Sequence, residues 1–79
     1  MKIEILGTGC PKCKSLEKNA REAVLQTGIE ADVVKISDVN DIMNMGVMMT
    51  PALAVDGDVK KAGTVMTVEE IAAVLKGVN

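Results

Sequence analysis

The 79 residues suit one domain spanning 1–79, with a small core, because a chain this short buries only roughly 60–65% of its unfolded surface. The net charge of −2 carries no block of like charge and there is no aromatic residue, which argues against nucleic acid: phosphate contacts need clustered Lys and Arg, and base stacking needs rings. No apolar run approaches the ~18 residues of a membrane span, and Lys2 and Glu4 interrupt the stretch after Met1, so a soluble cytoplasmic protein without a leader is expected.

Lys2 to Leu6 reads as the first strand, with Ile3, Ile5 and Leu6 apolar. Gly7 ends it, and Gly7 and Gly9 bracket a turn that needs backbone freedom. Cys10 then falls at an N-cap and Pro11 at the first helical position, where its missing N–H would be unpaired anyway. The first helix runs from Pro11 to Thr27. Cys13, Leu16, Ala20, Ala23 and Val24 recur at helical spacing as one apolar stripe. Glu17 and Arg21 form a favourable (i, i+4) pair on the wet face, and Gly28 is the natural stop.

Ala31 to Ile36 is the second strand, apolar on both faces and so expected to be covered on two sides. A strand, a long helix and a strand imply a right-handed parallel crossover. Asp38 can cap a short helix from Val39 to Met45, with Ile42 and Met43 inward and Gly46 at its end. Ala52 to Val55 is the third strand. Asp56-Gly57 signals a hairpin into the fourth, Val59 to Ala62, whose Lys60 and Lys61 suit an exposed edge. Thr67 and Glu70 form a capping box for the last helix, whose buried stripe is Val68, Ile71, Ala72, Val74 and Leu75. The element order is β-α-β-α-β-β-α, an α/β fold.

The two cysteines lie three positions apart, and the chain has no histidine. A pair this small is not the larger disulfide set of a secreted scaffold, so catalysis or metal binding is the expectation. Thiolate is the nucleophile, and a helix N-terminus favours it. Cys10 at the N-cap sees the unpaired N–H groups of the first turn, with Lys12 and Lys14 nearby. Cys13 lies on the apolar stripe, less exposed and less ionised. Cys10 is therefore expected to attack a disulfide, and Cys13 to resolve the mixed disulfide and leave a Cys10–Cys13 bridge.

Gly7-Thr8-Gly9-Cys10-Pro11-Lys12-Cys13, then Gly46-Val47-Met48-Met49-Thr50-Pro51-Ala52-Leu53, Val55-Asp56-Gly57 and Gly63 together resemble the thioredoxin and glutaredoxin fold. They look most like the small thioredoxin-like redox-active disulfide proteins. The resemblance implies a four-stranded mixed sheet with helices on both faces. Strand one would be central and parallel to strand two, with strands three and four antiparallel to it. It implies a cis Pro51 facing the disulfide, with Thr50 flanking it and offering backbone groups to an extended substrate. Gly9 stands where thioredoxin has a tryptophan, and Met45 where relatives carry a tyrosine. By resemblance the partners are disulfide-containing proteins or small molecules and an upstream, flavin-dependent disulfide reductase. The protein would act as a monomer with no cofactor beyond its own bridge.

Two other readings stand beside this one. Soft thiolates select Cu(I), and Met43, Met45, Met48 and Met49 offer thioethers, so the pair could serve a copper carrier. Against that, no methionine precedes Cys10 closely, the chain ends on a helix, and the methionines read as core filling in a chain without aromatics. The third reading is an adaptor whose dithiol switches its surface. Zinc lacks further His or Cys ligands. Glu4 on a central strand is expected at a sheet margin in water, or else as a partly buried carboxylate that takes protons during exchange.

Overall fold

Short apolar segments bounded by glycine and proline set the frame of the computed structural model, which describes residues 1–77; residues 78 and 79, the end of the expected 1–79 unit, lie outside the described residues. The elements are β1 (Lys2–Leu6), α1 (Pro11–Thr27), β2 (Asp32–Ile36), α2 (Val39–Asn44), β3 (Ala52–Val55), β4 (Asp58–Ala62) and α3 (Val68–Leu75). They form a four-stranded sheet in the order β2-β1-β3-β4. β1 pairs parallel with β2, setting Ile5 opposite Lys35, and antiparallel with β3, setting Ile5 opposite Leu53. This is a thioredoxin-like arrangement.

One directional expectation is corrected. β3 runs against β1, but β4 pairs antiparallel with β3 and so runs with β1. The reversal is made by Asp56 (φ 51°) and Gly57 (φ 85°), and two successive positive φ angles are what a type I′ hairpin turn requires. β4 is an outer strand, as Lys60 and Lys61 suggested. β2 is the other outer strand and is only half-buried, less enclosed than its apolar sequence implied.

Alternation along β1 and β3 divides the core in two. Ile3, Ile5 and Leu53 pack with Leu16, Ala20 and Ala23 of α1, Ile71 and Leu75 of α3, and Met66. On the other face Leu6, Ala52 and Ala54 pack with Ile42 of α2 and with Val47. α1 starts on Cys10 and stops on Gly28, whose N–H donates to the Val24 carbonyl at 3.1 Å. α3 opens on the reciprocal Thr67–Glu70 capping box.

Three burial expectations fail. Met43 is 65% exposed rather than inward, because α2 has only six residues and Ile42 and Val47 already fill its contact with the sheet. Met48 and Met49 are exposed as well, so the methionines near α2 are not core filling, apart from the half-buried Met45. Glu4 is not in water at a margin. It is 8% exposed, and its Oε1 accepts the Gly57 N–H at 2.7 Å. A buried carboxylate needs such a partner, and here it ties the centre of the sheet to the hairpin turn.

Candidate active site

The end of β1 delivers the chain into the turn at residues 7–9, and α1 begins at once. Cys10 is extended (φ −67°, ψ 165°) and its Sγ accepts the Cys13 backbone N–H at 3.3 Å. The sulfur thus takes the place that a Ser or Asp oxygen holds at other helix starts. Pro11 occupies the first turn and no acidic side chain lies in it, so nothing there offsets the positive helix end. Gly9 has φ +91° with open space around its Cβ position, and it turns the chain to bring Cys10 to the helix mouth.

The two sulfurs sit in different surroundings. Cys10 is half-buried and Cys13 is 5% exposed, and both are free thiols. The Cys13 side chain, hydrogen-bonding toward the Cys10 sulfur, holds Cys10 below the ordinary thiol range, followed by the backbone N–H groups of Cys13 and Lys12. Burial pushes the Cys13 thiol up, and its hydrogen bond to Cys10 adds to that. At a given pH, Cys10 is the more ionised of the pair and the more reachable.

Gly7 has a role that sequence reasoning missed. It does not have a positive φ, so it is not needed for turn geometry. A Cβ there would collide with Cys13 Sγ and stand 3.1 Å from Cys13 Cβ and 4.0 Å from Pro51 Cα. Gly7 is therefore the floor on which the Cys13 thiol rests, with Pro51 close by. The Thr50–Pro51 peptide bond is cis, Pro51 is fully buried, and its carbonyl accepts the Gly63 N–H at 2.9 Å. No single residue type at position 7 signals such a contact; only the paired placement of β1 and α1 shows it.

The remaining predicted residues divide. Pro11 and Lys12 are exposed on the first turn, and Lys12 faces the site through its backbone N–H. Thr50 is exposed. With Thr8 it borders an open groove of about 630 Å³ whose walls are Val39, Ile42, Met43, Val47 and Met48. The groove carries no charged side chain and runs from the loops that hold Cys10 and Pro51 toward α2. Among the described residues there is no group of three or more His, Cys, Asp or Glu side chains that could hold a metal ion. No helix among the described residues is long and apolar enough to cross a membrane.

Comparison with known proteins adds to this geometry. The domain family described as "Thioredoxin domain" matches residues 1–76. The chain is 51% identical over 75 residues to a thioredoxin of Methanothermobacter thermautotrophicus, covering 95% of this chain and 97% of that protein. It is 45% identical over 74 residues to a thioredoxin of Methanocaldococcus jannaschii, covering 94% of this chain and 85% of that one.

Proposed function

This chain belongs to the thioredoxin family and is a disulfide oxidoreductase, and from that premise we propose that its chemistry is carried by Cys10 as attacking nucleophile and Cys13 as resolving thiol. The family acts on disulfide-containing substrates and exchanges electrons with a reductase. In the first step the Cys10 thiolate attacks one sulfur of a substrate disulfide. A Cys10–S–S–R bond forms, and the other substrate sulfur leaves with the electron pair and takes up a proton. In the second step Cys13 loses its proton and attacks the Cys10 sulfur. The Cys10–Cys13 bridge forms and R–S⁻ departs. The substrate gains two electrons, the dithiol loses two, and a reductase restores it.

The observation that carries this reading is the inequality of the two sulfurs. One is a half-exposed N-cap beside backbone donors, and the other is buried one turn deeper. Gly9, Pro11, Lys12, Thr50 and Pro51 support it as the frame of the substrate-facing loops. The redox bridge needs no further cofactor in this scheme. We place the work in the cytoplasm, in a monomer of one domain, with a flavin-dependent reductase upstream. The copper-carrier and adaptor readings are not favoured by the family match.

The test is turnover. The protein should accelerate insulin reduction by dithiothreitol. Cys13→Ser should halt at a mixed disulfide on Cys10, and Cys10→Ser should be inactive. A Cys10→Ser variant that still turns over would overthrow the assignment.

A further inference from the structure

Charge is spread unevenly over this chain, and the unevenness centres on the dithiol. Residues 11–21 of α1 hold four of the nine cations, Lys12, Lys14, Lys18 and Arg21, but only one of the eleven carboxylates, Glu17. The remaining residues hold ten carboxylates and five cations. A protein of net charge −2 thus carries a basic patch on the segment that follows Cys10 and holds Cys13.

Nothing nearby neutralises the patch. Lys12, Lys14 and Lys18 are exposed, and no ion pair among the described residues includes them. Glu17 meets two cations at once, Arg21 at 3.0 Å and Lys35 of β2 at 3.7 Å, so its single charge is already taken. The first turn of α1 contains no acid. Lys14 and Lys35 line a small hollow together with Gly9 and Cys13, which puts cations beside the dithiol itself. The other flank differs. The groove that runs from Thr8 and Thr50 to α2 has no charged side chain. On α2 the Asp38 carboxylate is occupied, accepting the N–H groups of Asn40 and Asp41. The dithiol is therefore basic on its α1 side and uncharged on its groove side.

A disulfide that reaches Cys10 must bring its own neighbours against one of these flanks. Resting on Cys10 as the attacking thiol, we propose that the protein selects polypeptide disulfides whose reacting cysteine is flanked by Asp or Glu. Those carboxylates settle on Lys12, Lys14 and Lys18 as the disulfide meets Cys10. Lys14 and Lys18 stand one turn apart on the same side of α1, so acids spaced along a substrate can meet both. Exposed charges act over about 10 Å at 0.1 M salt, so the patch speeds the encounter of acidic partners and repels basic ones. The exchange chemistry is unaltered: no lysine atom bonds to substrate or moves a proton, and the side chains set specificity alone.

The test uses three symmetric peptide disulfides that differ only in the residues beside the cysteine: Glu, Gln or Lys. Each reacts with reduced protein in a single turnover, and the peptide thiol released is followed by chromatography after acid quench. Each rate is divided by that of the same peptide with 2-mercaptoethanol, which removes the effect of flanking charge on the leaving thiol. At low ionic strength the normalised rates should fall in the order Glu, Gln, Lys, with about tenfold or more between the ends. At about 0.5 M salt the spread should shrink to roughly twofold or less. Lys12→Glu with Lys14→Glu should abolish or invert the order. Any change in Cys10 ionisation acts on all three peptides alike and cancels in the ratio. Lys12→Arg with Lys14→Arg should keep the order, and so should Lys60→Glu with Lys61→Glu, an equal charge change on the outer strand β4. Equal normalised rates at low salt, or an order that survives reversal at Lys12 and Lys14, overturn the proposal. Should the reversed variant fold poorly, the wild-type salt series decides, and a Glu:Lys ratio that does not fall with salt overturns it equally. If Cys10→Ser reacts with the Glu peptide as fast as wild type, the nucleophile reading itself fails. If reaction needs Cys10 but ignores the flanking charge, only the selectivity falls.

Discussion

Gly7→Ala places one methyl group where the structure has no room for it. Its Cβ would collide with Cys13 Sγ and stand 3.1 Å from Cys13 Cβ, with Pro51 Cα at 4.0 Å on the far side. Carbon atoms pack best at about 3.5–4.0 Å, so Cys13 or the end of β1 must move. Leu6 and Leu16 on either side are fully buried and resist that movement. Overpacking of this kind costs about 1–3 kcal/mol, and the stiffer unfolded chain of an alanine variant returns about 0.4–1 kcal/mol. The net loss is roughly 1–2 kcal/mol. In a domain of this size 1 kcal/mol shifts Tm by about 4–8 °C, so the reduced variant should melt about 5–15 °C below wild type. The displaced thiol should also close the bridge more slowly, because disulfide geometry needs the two Cβ atoms about 3.5–4.5 Å apart. Gly28→Ala is the control. It meets nothing within 4 Å but keeps φ +69°, so it should cost about 1–2 kcal/mol of stability and leave bridge closure untouched. Thermal unfolding with single-turnover thiol kinetics reads both effects. A Gly7→Ala protein that melts and closes its bridge like wild type refutes the packing role of Gly7.

Other outcomes follow from the same geometry. Alkylation of Cys10 by iodoacetamide should rise with pH and level off below the roughly 8.5 of a free cysteine, because only the thiolate reacts and its neighbours favour it. In Cys13→Ala that inflection should move upward, yet not fully, since the backbone donors remain. Glu4→Ala strips the Gly57 N–H of its charged acceptor and should cost about 1.5–3 kcal/mol by denaturant titration, and Glu4→Gln, which keeps an acceptor, should cost less. Thr67→Ala should cost about 1 kcal/mol through the lost cap of α3. Glu70, held low first by the Thr67 N–H and then by Lys61, is more acidic folded than unfolded. Its stabilisation is therefore complete above the unfolded carboxylate value of about 4.3 and is lost as pH falls through the folded one. Glu70→Gln should flatten that acid limb of the stability profile.

Local signals made most of the fold readable. Cys10-Pro11 opens α1, Gly28 closes it, Asp56-Gly57 turns the hairpin and Thr67 with Glu70 caps α3, each acting within a few residues of itself. The dithiol was legible for the same reason, since both sulfurs lie in one helical turn. What was not legible depends on partners distant in sequence. Glu4 looked misplaced on a central strand because its partner, Gly57, lies 53 residues away. Met43 fitted an inward position on α2 until Val47, beyond the helix, took that space. Gly7 looked like a turn residue, yet its constraint comes from a thiol on the next element. The direction of β4 also had to be seen in its pairing with β3 rather than inferred by resemblance.

The division of labour between the sulfurs is tested most directly by counting thionitrobenzoate released per molecule from wild type, Cys13→Ser and Cys10→Ser. Wild type should release two equivalents, with an internal bridge left behind. Cys13→Ser should release one fast equivalent, with a stable adduct on Cys10, and Cys10→Ser should label only slowly. A fast equivalent from Cys10→Ser, or a second from Cys13→Ser, rules out that division of labour.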